Sequence, residues 1–270
     1  MLDTEGYSRV IDKLRRFFFD QKGFIEVPAQ CRRSILSACE EPKTMALYEI
    51  DALFPLPQTG QMWLEHEILK NPSAPGYFCV TTSYRNEPNP IPGRHDKIFP
   101  MFEFESHGSM DTLRRLEAEL LQHLGFKEAV HVQYDALCNQ YDTPILEARH
   151  EEMMQAEFGP CISLEQFPRR TDPFWNMKEC NDGSFSKIDI ILCGQETIGS
   201  AERSCNPEQM RHNFNSVSGG QYAQRLFEAF GHDRVMKELD AYLAMPMISR
   251  FGGGIGITRL VRSMRQENLI

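Results

Sequence analysis

Two adjoining strand patterns, 78–85 and 98–105, place charged residues among apolar ones. Side chains alternate along a strand, so Arg85 and Glu87 are predicted to share a face of the first strand. Glu103 and Glu105 likewise share a face of the second. Buried unpaired charge is costly, and a bound nucleotide would balance it, because arginine binds phosphate and a carboxylate accepts from an exocyclic amine. The alternative is a solvated face with cross-strand ion pairs.

A second group of charged residues lies in the segment 186–203, where Asp189 and Glu196 bracket an apolar strand. Paired carboxylates near a triphosphate suit Mg²⁺, because this ion takes one or two carboxylates together with phosphate oxygens. Arg203 follows seven residues after Glu196 and is a candidate for binding a carboxylate substrate. The alternative is a set of strand-end charges that cap turns.

The third feature is the glycine-rich segment 250–260. Glycines let the backbone approach a ligand closely, and Arg259 would begin a helix that points at that ligand. The segment is not a P-loop, because no Gly-Lys-Ser/Thr follows. It also lacks the strand–helix–strand context of a dinucleotide fingerprint. The alternative is a tight strand-to-helix turn that binds nothing.

The elements that must position these residues indicate an α+β fold. Helical spacing predicts six helices, over 7–20, 61–69, 110–124, 146–158, 220–230 and 233–244, and a strand, a glycine turn and a helix over 250–266. Strand patterns occur at 24–27, 78–85, 98–105, 173–180, 185–193 and 196–203. Because helices and strands do not alternate regularly, we expect an antiparallel sheet of about six strands flanked by helices. The proline-rich segment 86–97 predicts a long hairpin loop, and residues 35–58 predict a mobile loop.

Length and composition limit the class of protein. A chain of 270 residues with 41% hydrophobic and 25% charged residues is typical of a globular protein, so we predict one domain over residues 1–270. No apolar run reaches the roughly 18–20 residues of a membrane span, and the acidic residues near the start of the sequence lead us to expect no secretory signal there. The eight cysteines form no Cys-x-x-Cys pair, which favours reduced thiols in the cytoplasm. A net charge of −9 disfavours nucleic acid as the main ligand, because phosphate neutralisation supplies most of that affinity.

In this order, the three features resemble the catalytic core of a class II aminoacyl-tRNA synthetase. The resemblance runs over residues 7–266. The first helix and Gly23–Pro28 are similar to motif 1, and Gly252–Arg259 is similar to motif 3. The hairpin resembles motif 2 through Arg85, Arg94, His95, Phe99 and Glu103. The aspartyl/asparaginyl branch is indicated by three further matches. Thr59–Glu65 is similar to Ser-Gly-Gln-Leu-x-x-Glu, Pro168–Trp175 to Pro-x-x-x-x-Pro-Phe-Tyr, and the spacing of Asp189, Glu196 and Arg203 to that of the aspartyl enzymes.

The sequence also departs from that branch. The segment that resembles the catalytic core begins at about residue 7, so we expect no N-terminal OB-fold anticodon-binding domain. Ile98 stands where the family has a glutamate, and Leu64 stands where the aspartyl enzymes have a lysine. The glycine-rich motif 3 and the expected lack of a tRNA-binding domain resemble stand-alone asparagine synthetase (aspartate–ammonia ligase) and the archaeal asparagine synthetases related to asparaginyl-tRNA synthetase.

The resemblance implies a role for each matching residue. Arg85 and Arg259 are the expected catalytic residues. The implied ATP-binding residues are Arg85, Glu87, Arg94, His95, Phe99, Glu196 and Arg259. Asp189 and Glu196 would hold Mg²⁺. Gln61 and Glu103 would bind the amino group of the amino acid, and Arg203 would pair with its side-chain group.

The implied activity is that of an AMP-forming ligase. It would adenylate aspartate or a similar carboxylate with ATP and transfer the acyl group to ammonia or another amine. The alternatives are a tRNA-charging or tRNA-modifying enzyme and an inactive regulatory paralogue. Either Glu40 or Glu41 would contact the substrate, and Asp172 would either help to deprotonate the ammonium or serve as a turn carboxylate.

A homodimer through residues 7–33 is also expected. Motif 1 is an interface in this class. In addition, one helix cannot bury all three rings of the run Phe17, Phe18 and Phe19, because a helix hides only one face.

Overall fold

A computed structural model describes residues 3–31, 33–91 and 96–270 of the chain. Its helices are α1 Thr4–Arg15, α2 Gln61–Lys70, α3 Met110–Leu124, α4 Tyr134–Gln140, α5 Ala148–Phe158, α6 Pro207–Ser216, α7 Gln221–Phe230, α8 His232–Leu243 and α9 Ile257–Gln266. Its strands are β1 Ile25–Glu26, β2 Leu47–Ile50, β3 Ala52–Pro55, β4 Gly76–Tyr84, β5 Ile98–His107, β6 Val130–Gln133, β7 Cys161–Pro168, β8 Ser184–Leu192, β9 Gln195–Glu202 and β10 Arg250–Gly256. No helix in this described part is long and apolar enough to cross a membrane.

Eight of the described strands form one sheet in the order β1-β4-β5-β10-β9-β8-β7-β6. The predicted α+β class is correct, but the predicted count of about six strands is wrong. The sheet is also mixed, because the pairs β1–β4 and β6–β7 at its two edges are parallel. Strand β6 has four residues, none of them buried, so it gives no alternating apolar signal.

Two local predictions also need correction. The segment 173–180 is not a strand of the sheet, and it makes only isolated bridges through Met177 and Glu179. The segment 35–58, predicted as a mobile loop, contains a short helical turn at Pro42–Thr44 and the hairpin of β2 and β3. In contrast, the strands on either side of residues 86–97 pair antiparallel, as predicted for a hairpin.

The sheet separates two apolar layers. Phe102 and Phe104 of β5 point toward α1 and the wider helical turn Arg16–Gln21 that continues it, where Phe18 lies against both rings with centroids 5.0 Å away. Helices α3 and α9 complete that layer, while α2, α6, α7 and α8 form the layer on the opposite face. Because neighbouring residues of a strand point to opposite faces, Glu103 and Glu105 face α2 rather than α1. This alternation carries two carboxylates into the interior.

A further buried carboxyl group lies between α3 and the sheet. Glu117 accepts a hydrogen bond from Ser200 Oγ at 2.6 Å, and its Oε2 has no hydrogen-bond partner among the described residues. Burial raises the pKa of Glu117 to about 8, from an ordinary value of 4.5. Between these two values the folded state binds more protons than the unfolded chain, so its stability falls as the pH rises.

We therefore expect Glu117→Gln to flatten part of the pH dependence of stability. Glutamine keeps a hydrogen-bond acceptor for Ser200 but cannot ionise. Chemical denaturation from about pH 6 to about pH 9 should show a falling free energy of unfolding for the wild type and a smaller fall for the variant. Identical pH profiles for the two proteins would contradict the assignment.

Candidate active site

A cleft of about 330 Å³ opens beside the central strands β5, β10 and β9. It brings together five of the residues predicted to bind ATP: Arg85, Glu87, Phe99, Glu196 and Arg259. The two others, Arg94 and His95, lie outside the described residues. Arg262 lines the same cleft and was not predicted, although it follows Arg259 by three residues on one helix face. We call this cavity the nucleotide cleft.

Arg85 lies just after β4, which ends at Tyr84, so it belongs to the hairpin loop and not to the predicted strand. Its backbone N–H donates to the carbonyl oxygen of Lys97 at 2.7 Å and closes the base of that loop. Its guanidinium lies 5.8 Å from the centre of the Phe99 ring, and Nη2 donates to Glu40 Oε2 at 2.6 Å. Nε is buried without a hydrogen-bond partner in the described part of the chain. The guanidinium is thus held by Glu40, while its Nε has no protein acceptor among these residues.

The segment that carries Glu40 is held by Gln58, a buried residue that the sequence did not single out. Gln58 Oε1 accepts from the backbone N–H groups of Glu40 and Glu41 at 2.9 and 2.7 Å. Glu41 turns its own carboxylate back to accept from the N–H of Lys43 at 2.9 Å. Of the two glutamates, Glu40 is therefore the one that reaches Arg85.

Asp189 and Glu196 converge on the same point above Gly199. A side chain at Gly199 would place Cβ 3.5 Å from Asp189 Oδ1 and 3.2 Å from Glu196 Oε1. Burial raises the pKa of Asp189 to about 7, and the ammonium of Lys187, 2.6 Å from Oδ2, opposes that rise. The other oxygen, Oδ1, is buried and has no hydrogen-bond partner among the described residues. One free carboxylate oxygen beside a second carboxylate fits a cation that draws its remaining ligands from phosphate.

The glycines of the third segment lie inside β10, so the prediction of a glycine turn is wrong. Strand β10 pairs with β5 on one side and β9 on the other. A Cβ at Gly253 would lie 2.9 Å from the carbonyl oxygen of Gly199, which shows how closely the backbones approach. Helix α9 follows directly, and Arg259 Nη1 donates to the carbonyl oxygen of Glu196 at 2.6 Å. The glycines thus bring β10 and the first turn of α9 to the nucleotide cleft.

The predicted amino-acid-binding residues lie next to this strand. Glu103 is fully buried and accepts from Thr59 Oγ1 at 2.5 Å, from the N–H of Gly60 at 2.7 Å and from Thr81 Oγ1 at 2.8 Å. Burial raises the pKa of Glu103, and these hydrogen bonds oppose the rise. Both carboxylate oxygens are thus engaged by protein donors, which fix the start of α2. Its predicted contact with an amino group stays a prediction.

Arg203, only 2% exposed, is held by a carboxylate that the sequence did not pair with it. Its Nε and Nη2 donate to the two oxygens of Glu105 at 3.2 and 3.1 Å, and Nη2 also donates to Gln61 Oε1 at 2.8 Å. Burial raises the pKa of Glu105 to about 8, although Arg203 opposes the rise. The structure thus joins Gln61 and Arg203, as expected of one binding site, and adds Glu105 to them.

A second buried ion pair, between Glu65 and Arg250, lies next to Arg203. Glu65 accepts from Arg250 Nη2 at 2.8 Å, from the hydroxyl of Tyr242 at 2.6 Å and from Asn176 Nδ2 at 2.7 Å. Arg250 Nε also donates to Glu65 Oε2 at 3.0 Å, and Arg203 Nε lies 3.6 Å from Oε1. These partners come from separate helices, strands and loops, and no local pattern in the sequence connects them.

Gly252 is required by this arrangement. A Cβ there would lie 1.7 Å from Glu105 Oε2 and 2.4 Å from the carbonyl oxygen of Phe104. We expect Gly252→Ala to destabilise the fold by about 3 kcal/mol or more, because a backbone atom and a buried carboxylate would both have to move. Gly256→Ala is the control in the same strand, since its Cβ would meet atoms no closer than 3.7 Å. Equal loss of stability in both variants, measured by thermal unfolding, would argue against the steric explanation.

The fold is shared with known synthetases. Asparaginyl-tRNA synthetase from Pyrococcus horikoshii, complexed with asparaginyl-adenylate, superposes with a TM-score of 0.77 at 17% identity and covers 97% of this chain and 65% of its own. The Entamoeba histolytica asparaginyl enzyme with asparaginyl-adenylate gives 0.74 at 18%, covering 98% and 64%. Aspartyl-tRNA synthetase of the same organism gives 0.68 at 16%, covering 96% and 54%. At these identities the likeness concerns the fold alone, and this chain spans less than two thirds of each of those proteins.

At the level of sequence, no curated protein matches significantly. One family does match, and it does so over residues 5–270. This match covers the sheet, the nucleotide cleft and the buried ion pairs beneath it. The chain therefore belongs to the class II tRNA synthetase family (D, K and N).

Proposed function

We propose that this protein is an AMP-forming ligase that adenylates aspartate or a similar carboxylate and transfers the acyl group to ammonia or another amine. The observation that carries the proposal is the nucleotide cleft, which Arg85, Phe99, Glu196 and Arg259 line together, with Asp189 beside Gly199 of the same cleft. The family match supports ATP-dependent adenylation. Two of the similar structures are described with a bound asparaginyl-adenylate.

The cleft suits attack of a carboxylate on the α-phosphorus of ATP. In that step an O–P bond forms and the bond to pyrophosphate breaks, so negative charge develops around the α-phosphate. Arg85, with its Nε still available, would donate to this charge, and Phe99 and Arg259 would hold the adenine between them. Asp189 and Glu196 would hold a Mg²⁺ ion, which neutralises the charge of the departing pyrophosphate. No protein nucleophile is required, since positioning and charge stabilisation suffice.

The charge around Arg203 supports an acidic amino acid. Arg203 contacts Gln61, and burial raises the pKa of its partner Glu105, which weakens the negative charge opposite the guanidinium. Glu65 is paired with Arg250. A guanidinium binds a carboxylate through two charge-assisted hydrogen bonds. An amide would offer only one good acceptor.

The proposal is tested in two stages. Amino-acid-dependent exchange of pyrophosphate into ATP, measured without any acceptor, should occur with aspartate or a close analogue. Release of AMP should then rise when an amine is added. Exchange that requires tRNA, with no amine-dependent AMP release, would favour the tRNA-charging alternative. Absence of exchange with every amino acid and with tRNA would refute adenylation itself.

We also propose a homodimer formed through residues 7–33. Phe17 and Phe18 are buried, whereas Phe19 is 58% exposed and the nearby Ile25 is 41% exposed. Large apolar side chains that remain exposed together indicate an interface.

We propose that the protein is located in the cytoplasm. All eight cysteines are free thiols, which supports a reducing compartment.

Phe19→Glu is expected to shift the protein from dimer to monomer, because a charge would be buried without a partner in the interface. Light scattering at micromolar concentration gives the mass directly. Ile50→Glu is the matched control, since Ile50 is 50% exposed on the β2–β3 hairpin, outside the proposed interface. A monomeric wild type would contradict the proposal.

A further inference from the structure

A second cleft, of about 390 Å³, shares the side chain of Arg85 with the nucleotide cleft. Its lining contains the rings of Phe174 and Tyr222, the carboxylates of Glu40, Glu41 and Asp172, and the cationic groups of Lys43, Arg85, Lys187 and Arg225. Arg85 lines both clefts, and its ion-pair partner Glu40 lines the second. A molecule in this second cleft would therefore lie beside the group expected to hold the α-phosphate.

The carboxylate of Asp172 is held at this cleft by two hydrogen bonds from Ser218. Asp172 follows a short helical turn and adopts a left-handed conformation with φ 50°. Its Oδ1 accepts from the N–H of Ser218 at 3.3 Å, and its Oδ2 accepts from Ser218 Oγ at 3.2 Å. Asp172 also lines the adjoining cavity that contains Asp189 and Glu196. It thus lies between the second cleft and the paired carboxylates.

Two of the cations that line the second cleft, Lys43 and Arg225, differ from the other two in their ion pairing. Arg85 is paired with Glu40, and Lys187 is paired with Asp189. Lys43 and Arg225, by contrast, are exposed and have no acidic partner among the residues that the structure describes. Cations that line a cleft without internal partners favour an anionic group on the molecule that enters it.

We propose that the second cleft binds the acceptor of the acyl group, and that this acceptor is an organic amine that also carries a carboxylate, as a free amino acid does. This inference rests on the proposed function. Asp172 and Glu41 would bind the ammonium, Arg225 and Lys43 the carboxylate, and the rings of Phe174 and Tyr222 the carbon skeleton. Ammonia, about the size of a water molecule of roughly 30 Å³, would leave this cleft almost empty.

The transfer step balances with this occupant. The amine nitrogen attacks the acyl carbon of the adenylate, a C–N bond forms, and the C–O bond to AMP breaks with its electron pair going to the AMP phosphate. Two protons leave the nitrogen. Asp172 accepts the first and passes it to water, and the second passes to solvent as the tetrahedral intermediate collapses.

The experiment compares acceptors after pyrophosphate exchange has identified the activated acid. AMP release is measured, and the product is identified by mass spectrometry, with ammonium, with each of the common free amino acids, with ethanolamine as an amine without a carboxylate, and with tRNA. We expect one amino acid or a small group of them to give a kcat/KM at least about tenfold above that of ammonium or ethanolamine. Equal efficiency of ammonium, or transfer to tRNA alone, would overturn the inference while leaving adenylation intact.

Variants then locate the acceptor. Arg225→Gln is expected to raise the KM for the amino acid acceptor about tenfold, because it removes the charge facing the carboxylate. The KM for ATP in the exchange reaction should change by less than about twofold. Arg149→Gln, a change of an exposed arginine far from the cleft in sequence, is the control and should alter neither constant. An equal rise in both constants for Arg225→Gln would place Arg225 in the nucleotide site and overturn the inference.

Discussion

Arg85→Ala and Arg259→Ala should each reduce pyrophosphate exchange by a factor of about a thousand, or roughly 4 kcal/mol of transition-state stabilisation. We expect the larger loss of exchange activity in the Arg85 variant. The guanidinium of Arg85 contacts Glu40 and Phe99, and its Nε has no protein acceptor among the described residues. Arg259 lies opposite, fixed to the backbone of Glu196. Neither side chain supports the apolar core, so the fold should remain.

The control for this prediction is Arg115→Ala, because Arg115 is exposed and, among the described residues, donates only to a backbone carbonyl oxygen on α3. Exchange rates of the three variants are compared at saturating ATP, with circular dichroism and thermal unfolding to verify the fold. Wild-type exchange in the Arg85 variant would refute the assignment of motif 2. The same result in the Arg259 variant would refute that of motif 3.

Glu65→Ala should cause the largest loss of stability, about 3–5 kcal/mol. Removal of one partner from a buried ion pair leaves the other charge without compensation, and here Arg250 and Arg203 both depend on Glu65. Burial alone would raise the pKa of Glu65, but the charges of the two arginines hold it below its ordinary value, so the group is ionised. Its loss would leave two buried guanidinium groups facing Glu105.

The free energy of unfolding, from chemical denaturation at neutral pH, measures this loss. Glu119→Ala is the matched control, because Glu119 is half exposed and pairs with Lys22 at the surface. An exposed pair contributes about 0–1 kcal/mol, so the control should change little. Comparable values for the two variants would show that the buried network contributes no more than a surface pair.

Sequence patterns alone predicted much of the local structure and part of the site. Apolar spacing placed α3, α7 and α8 within a residue or two of their observed bounds. Strand alternation separated Phe102 and Phe104 from Glu103 and Glu105, because successive side chains must point to opposite faces. The resemblance of the motifs then selected residues that lie along some 175 positions of chain yet line one cleft.

The remaining features of the fold and the site depend on tertiary structure, because they arise from contacts between residues that are distant in sequence. The pairing of Glu105 with Arg203 joins strands β5 and β9 across β10, and only a glycine at position 252 leaves room for it. The glycine segment became a strand because two neighbouring strands supplied hydrogen-bond partners for its backbone. Gln58 accepts from the backbone N–H of Glu40 because the two segments pack together. Such contacts depend on which elements meet, and a local pattern of residue types does not predict them.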